Sequence, residues 1–348
     1  MERVQEKLKL YRASVLKAAV EGALTAEWCA KNPQAEPASE LLKRILVERR
    51  RRWEEDQLAK FKSKGQEPPK NWKAKYKEPL IPDTANLNLL PKGWYWVTLD
   101  QAAWQLRSGT AETSGRDKTH YPVLKSSAVR HRIINFNDLN YLQKEQSSAE
   151  NFLKQDDFLI TRLSGSVDYV GCTAVVKDAL CERIQYPDRI FCAKLVSLIE
   201  GTYLSYCFQN SQIRQVLQGA AKSTAGHKRI SMSDLYPLVI PLPPEKEQKV
   251  IIEIVEGLLS VIDHLESELE TKLKTSQSLR QSILHHAFTG RLVPQDPKDE
   301  PASELLKRIA SEREARAKEV ASAKRQPKVK SAKAGKGRRS KQQHQGER

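Results

Sequence analysis

The ten residues Glu36-Pro-Ala-Ser-Glu-Leu-Leu-Lys-Arg-Ile45 recur unchanged from Glu300 to Ile309. Two distant segments must therefore build the same local structure. The match extends upstream, where Ser14-Val-Leu, Ala19, Gly22 and Leu24 are mirrored by Ser282-Ile-Leu, Ala287, Gly290 and Leu292, with the linker to the decapeptide about four residues longer in the first copy. The pattern reads as a helix, a turn and a second helix, used twice. The separation is too wide for a solenoid period and two copies are too few for a stacked array, so pseudo-symmetry around a central domain is the expectation.

No stretch of the 348 residues reaches the roughly 20 apolar side chains that span a bilayer, and the charged start Met-Glu-Arg-Val-Gln-Glu does not read as a secretion signal. A soluble, cytoplasmic protein without membrane contact is expected. Cys29, Cys172, Cys181, Cys192 and Cys207 are odd in number and form no Cys-x-x-Cys pair, which argues against a disulfide framework and a structural zinc site. The net charge of +16 is uneven, because Lys324–Arg348 carries ten Lys or Arg and one Glu. With almost no large apolar side chain, that segment predicts a disordered basic tail, suited either to non-specific phosphate affinity or to solubility alone.

Leu8, Tyr11, Val15, Ala18 and Gly22 fall at three and four spacing, the seam of a coiled-coil helix. Pro37 and Pro301 sit where a helix's first turn tolerates proline. Residues 60–90 are rich in Lys, Pro and Asn and predict a surface crossing. Short apolar runs follow, among them Phe158–Thr161, Cys172–Val176 and Phe191–Leu195, separated by turn residues. They predict a mixed α and β domain of roughly 150 residues. After Leu238-Val-Ile-Pro-Leu-Pro-Pro244, a long helix is predicted from Glu245, with Ile251, Val255, Leu258, Ile262, Leu265 and Leu269 as its seam. The expected class is α+β: one globular mixed α/β domain flanked by long coiled-coil helices, with a disordered basic C-terminal tail.

Four segments in this order resemble the specificity subunit of type I restriction-modification systems. They are Leu90-Pro-x-Gly93-Trp94; Ile240-Pro-Leu-Pro-Pro244 followed by Glu247-Gln248 and Ile251; Leu279-Arg-Gln-Ser-Ile-Leu284; and Ala287-Phe-x-Gly290-Arg-Leu292. The family usually carries two target-recognition domains, each reading half of a bipartite DNA site, separated by two helical regions that pack as an antiparallel coiled coil. This chain holds one such domain and begins partway through a spacer helix, so it looks like a half-length form. The resemblance implies a partial helical region at 1–60, a linker at 61–89, a target-recognition domain at 90–243, a C-terminal coiled-coil region at 244–320 and the tail at 321–348. It implies as partners double-stranded DNA, methyltransferase and restriction subunits, and either a second copy or a complementary half-length specificity chain. It places S-adenosylmethionine, ATP and magnesium in partner subunits, leaving this chain without a cofactor.

The sequence contains no Asn-Pro-Pro-Tyr or Asp-Pro-Pro-Tyr motif, no glycine-rich cofactor loop, no phosphate loop and no His-Glu-x-x-His helix. Asp156-Asp157 has the composition of a metal pair but reads better as a turn before a strand. Residues reading DNA should combine Arg or Lys with small polar side chains on loops of the central domain. Arg107, Ser108 and Thr110, then Arg116 and Lys118, form a glycine-containing basic loop; Lys125 and Ser126 follow the predicted strand Tyr121–Leu124; Arg162, Ser164 and Ser166 lie at a strand end. Arg162 is equally suited to holding that turn through backbone carbonyls. The strongest candidate is Lys222, Ser223, Thr224, His227, Lys228 and Arg229, read as a loop after a helix from Ser205 to Leu217. Trp94 and Trp96 read as core, and Arg49–Arg52 as a charged helix face. The expected role is non-catalytic recognition of half a bipartite site, directing adenine methylation and restriction by partners; the rivals are an inactive adaptor and a single-chain restriction enzyme.

Overall fold

The computed structural model describes residues 2–144, 151–180, 183–224, 226–294 and 296–325. Cys181, Ala225 and residues 326–348, including most of the expected basic tail, lie outside them. The chain divides into two compact units, Met1–Leu273 and Lys274–Arg348. Three helices lead: α1 (Glu2–Val20), α2 (Ala26–Lys31) and α3 (Ala38–Ser63). The domain runs β1 (Tyr95–Thr98), α4 (Leu99–Ala102), β2 (Ala103–Ser108), β3 (Pro122–Leu124), β4 (Val129–Arg130), β5 (Ile133–Ile134), β6 (Leu139–Tyr141), β7 (Phe158–Thr161), β8 (Leu163–Ser164), β9 (Thr173–Val175) and β10 (Ile190–Leu195). It continues through α5 (Gly201–Gln209), α6 (Ser211–Ala220), β11 (Lys222–Thr224), β12 (His227–Arg229), α7 (Met232–Leu235) and β13 (Val239–Leu242), followed by α8 (Glu245–Phe288) and α9 (Ala302–Arg325).

The scaffold of the domain is the antiparallel sheet β2-β10-β7-β9. Every residue of β7 is buried, because this sheet has a core on each side. Successive side chains point to opposite faces, so Phe158 and Ile160 join the main core with Phe191 and Ala193, while Leu159 joins a second core with Cys192, Ile190 and Tyr186. A strand apolar on both faces cannot show alternation, which is why Phe158-Leu-Ile reads as a continuous run.

The main core also takes in the first repeat: Val15, Leu16, Ala19 and Val20 of α1, and Ala38, Leu41 and Ile45 of α3. Gly22 turns the chain between these helices at φ 73°, and a Cβ there would meet Pro91 Cγ at 2.6 Å, so both backbone and space require glycine. The Ala38 N–H donates to Gly93 O at 2.7 Å. Glu247, buried at the start of α8, accepts from Thr25 Oγ1 at 2.5 Å, Trp94 Nε1 at 3.0 Å and Cys29 Sγ at 3.3 Å. One carboxylate thus ties the first repeat, the domain's opening and the long helix together.

Burial, followed by the Glu247 carboxylate, pushes the Cys29 thiol up to about 11 from its ordinary 9.0. Only thiolate alkylates, so Cys29 should react with iodoacetamide at pH 8 about a hundredfold more slowly than an ordinary thiol. Glu247→Gln, which removes the charge, should accelerate it. Peptide mass spectrometry after timed labelling measures both rates, and equal rates in the two proteins would remove Glu247 from the account.

The second repeat has the same local structure with the opposite exposure. Glu36–Arg44 and Glu300–Arg308 each pair at 2.6 Å, Glu40–Lys43 and Glu304–Lys307 at 2.8 and 2.7 Å, and Gly290 takes φ 70°. Leu41 and Ile45 are 0% and 1% exposed, whereas their counterparts Leu305 and Ile309 are 48% and 38% exposed. Ile283, Leu284, Phe288 and Leu292, the counterparts of Val15, Leu16, Val20 and Leu24, are exposed as well.

Several expectations need correction. The helix foreseen from Ser205 to Leu217 is two, because Asn210 leaves helical geometry and its side chain caps α6 by accepting from Gln212 N at 2.9 Å. Pro37 is the N-cap of α3 rather than its first helical residue. On α1, Tyr11 is exposed and the buried stripe is Val15-Leu16 with Ala19-Val20. On α8 the fully buried apolar positions are Ile251, Val255, Leu259 and Ile262, not the strict heptad seam through Leu258 and Leu265. A helix lying on a globular core follows the 3.6-residue period instead of supercoiling to 3.5. α3 runs to Ser63 and α9 to Arg325. The crossing after α3 is pinned by buried Trp72, which stacks on Trp53 at 5.9 Å. Among the described residues no helix is long and apolar enough to cross a membrane.

Candidate functional site

The ends of β2 and β7 grip one tight turn, residues 186–190. Thr110 N donates to Tyr186 O, Asp188 N to Thr110 O, Gly109 N to Ile190 O, and the N–H groups of Arg162 and Leu163 to Arg189 O. Ser108 Oγ donates to Asp188 O at 3.1 Å, and the Arg162 guanidinium donates to the same carbonyl at 3.0 Å while lying over the Phe191 ring. The approach is possible because residue 109 is glycine: a Cβ would sit 2.1 Å from Tyr186 O. Of the two roles open to Arg162, the geometry has it bonding a backbone carbonyl. Thr110 is buried at this junction and its hydroxyl accepts from Glu112 N.

Beside this turn stands a three-stranded sheet, β11-β12-β8, where a loop was expected. Lys222 pairs in register with Arg229, Ser223 with Lys228, and Thr224 with His227; Lys228 then faces Ser164 and Arg229 faces Leu163. Like charges directly opposite cost stability in an isolated sheet. Lys222 and Arg229 form such a pair. Lys222, Ser223, His227 and Arg229 are exposed and Lys228 is half-buried. Ser166 caps the short turn after β8, its hydroxyl accepting from Asp168 N at 3.3 Å.

The structure therefore gathers Ser108, Arg162, Ser164, Lys228 and Arg229 around neighbouring strand ends, with Arg107 paired in register to Cys192 on β10. Arg116 and Lys118 are exposed on the loop that Gly115 anchors to Tyr141. Lys125 is engaged by Asp138 at 2.8 Å; hydrogen bonds from Lys125 and then Ser127 hold that carboxyl below its usual range. Ser126 lends its carbonyl to Arg130.

Three basic residues escaped the sequence reading. Arg189 is exposed at the tip of the gripped turn. Arg214 donates to the carbonyls of Val170 and Asp168 at 2.6 and 2.8 Å. His131 is held at about 4, lowered by burial and then by the Arg214 charge, which keeps it neutral. Only Pro187-Asp-Arg, a turn tripeptide, could have drawn attention to Arg189.

Asp157 is bonded by Lys194 and accepts from Lys154 N at 2.9 Å, closing a turn in which Asp156 takes φ 67°. Among the described residues no group of three or more His, Cys, Asp or Glu could hold a metal ion.

No protein-family model matches the chain. Among curated proteins, the specificity subunit of the type I restriction enzyme EcoKI from Escherichia coli K12 is 32% identical over 230 residues, an alignment covering 64% of this chain and 50% of that protein. In sequence the chain is similar to type I restriction enzyme specificity subunits. The EcoAI specificity subunit of Escherichia coli is 27% identical over 365 residues, covering 92% of this chain and 58% of that relative. The chain thus spans about half the length of the specificity subunits it matches. Among solved structures, the HsdS subunit from Thermoanaerobacter tengcongensis is similar with a TM-score of 0.40 and 20% identity, over 80% of this chain and 58% of that one.

Proposed function

We propose that the chain is a DNA-recognition subunit of a type I restriction-modification complex, with the domain of residues 90–243 reading one half of a bipartite site. It carries no catalysis of its own. Methyl transfer from S-adenosylmethionine, and ATP- and magnesium-dependent cleavage, belong to methyltransferase and restriction subunits in the cytoplasm. The observation that carries the reading is the kinship to specificity subunits, one of whose alignments spans 92% of this chain and so includes the cationic β11–β12 hairpin.

The paired repeats bear on how the other half-site is read. The surface that receives Leu41 and Ile45 on this domain is filled by the first repeat, and the second repeat displays the same side chains uncovered. The second repeat would take a second recognition domain, from a complementary specificity chain or from another copy. Two copies would read a palindromic split site, because two-fold symmetry presents one domain to both halves; a different chain would give unequal halves.

Mapping methylated adenine in cells with the cognate methyltransferase, with and without this gene, tests the reading. Loss of a split motif on deletion is expected, and an unchanged map under confirmed expression would overturn it. Binding should also weaken steeply with salt, with log K falling against log salt by about 0.9 per phosphate neutralised. A titration with duplex DNA at several salt concentrations checks this; a flat dependence contradicts an anion-binding role for Lys222, Lys228 and Arg229.

A further inference from the structure

Resting on the recognition reading above, we propose that Arg189 is the base-reading arginine of this domain, taking a guanine edge in the major groove, while the β11–β12 hairpin holds phosphates. The division follows from how differently the structure treats its cations.

Residues 186–190 have their backbone fixed from two sides. Tyr186 O, Asp188 N and O, Arg189 O and Ile190 O are all bonded to residues 108–110 or 162–163. The close approach at Gly109 leaves no room for the turn to shift toward β2. Arg162 donates its guanidinium to the turn's own carbonyl, and Arg214 does the same for a neighbouring one. Arg189 differs: it is exposed, and no described residue pairs with its guanidinium. A rigid backbone carrying a guanidinium that no described residue engages leaves only the side chain to be ordered when a bidentate partner binds. The planar fork matches guanine O6 and N7, the commonest specific contact to DNA.

The hairpin is built for another task. Lys222 stands opposite Arg229, and His227, two positions from Arg229 and so on the same face, adds a polar side chain to that side of a short ribbon. That suits a line of phosphate oxygens and carries no sequence information. Arg229 and Arg189 come side by side through Leu163, whose residue position pairs with Arg229 and whose N–H donates to Arg189 O. Phosphate contacts on the hairpin would set the register at which Arg189 meets a base.

The test is selection from a randomised DNA duplex pool by the full chain copurified with its methyltransferase, comparing wild type, Arg189→Ala, Arg189→Lys and Arg229→Ala. Wild type should enrich a motif containing a G·C pair whose identity is lost in Arg189→Ala, with preference there falling roughly five- to hundredfold and other positions retained. Arg189→Lys should lose the same position, because a point charge cannot form the fork. Arg229→Ala should weaken binding evenly across sequences. If Arg189→Ala keeps every position of the motif, or weakens all sequences evenly with recovery by Arg189→Lys, the inference is overturned and the recognition reading stands. If wild type enriches no motif, the recognition reading itself falls. Arg189 is exposed and its turn is held by backbone bonds, so these variants should unfold at the wild-type urea midpoint.

Discussion

Leu41→Ala should lower the unfolding free energy of the first unit by about 2–5 kcal/mol, whereas Leu305→Ala, in an identical decapeptide, should change it by no more than about 0.5 kcal/mol. The sequence around the two leucines is the same, their helices start with the same ion pairs, and only the surroundings differ. Leu41 is 0% exposed against a core that includes Trp94, while Leu305 is 48% exposed. Removing three carbons from Leu41 costs the transfer free energy and leaves a cavity; removing them from Leu305 mainly trims a solvated side chain. All six tryptophans lie between Trp28 and Trp104, so tryptophan fluorescence in a urea titration of the full chain reports the first unit alone. Equal losses for the two variants would mean that both repeats are buried alike, and the case for a second recognition domain on the C-terminal repeat would collapse. If that partner is supplied, Leu305→Ala should instead weaken assembly, a different observable.

The repeat was legible in the sequence because identity needs no physics to detect, but its opposite exposure was not. Burial depends on what a segment meets, and two identical helices carry no mark of which one meets the domain. The strands Phe158–Thr161 and Ile190–Leu195 were legible because apolar runs bounded by turn residues have few other uses. The break at Asn210 was hidden, since Tyr206 to Leu217 has neither Pro nor Gly and the stop comes from a side-chain cap that competes with the helix. At the candidate site the composition was legible and the assignments were not. Arg162, Arg189 and Arg229 are the same residue in similar surroundings, and only long-range backbone bonds decide that the first holds a turn while the other two face solvent. Thr110 shows the same limit from the other side, for a polar residue in a basic loop turned out to be buried at a strand junction.

Arg49→Ala should cost about 3–5 kcal/mol, while Arg50→Ala, Arg51→Ala and Arg52→Ala should leave the urea midpoint close to that of the wild type. The four arginines stand in a row on α3 and read together as a solvated helix face. For three of them that is what the structure shows: Arg50 meets Glu54, Arg51 meets Glu48 and Glu55, and Arg52 meets Glu48, all at one helical turn. Arg49 points the other way and is buried. Its Nε donates to Asp100 O and Ala103 O at 2.8 and 3.2 Å, one terminal nitrogen to Asp100 Oδ1 at 2.8 Å, and the other to Tyr76 Oη at 2.7 Å. Truncation would strand a carboxylate, a hydroxyl and the carbonyls of Lys77, Asp100 and Ala103, and leaving such groups unpaired is what makes a broken buried pair expensive. Arg49→Leu combined with Asp100→Leu should recover part of the loss, because it removes both charges at once. Tryptophan fluorescence in urea again serves, with Trp53 and Trp72 close by on the aromatic cluster that includes Tyr76. A loss below about 1 kcal/mol for Arg49→Ala would show that the apolar contacts of Leu41 and Ile45 alone fasten α3 to the domain. The larger loss would make Arg49 the bolt between the first repeat and β2, the strand whose other end, through Ser108 and Gly109, fixes the turn that carries Arg189.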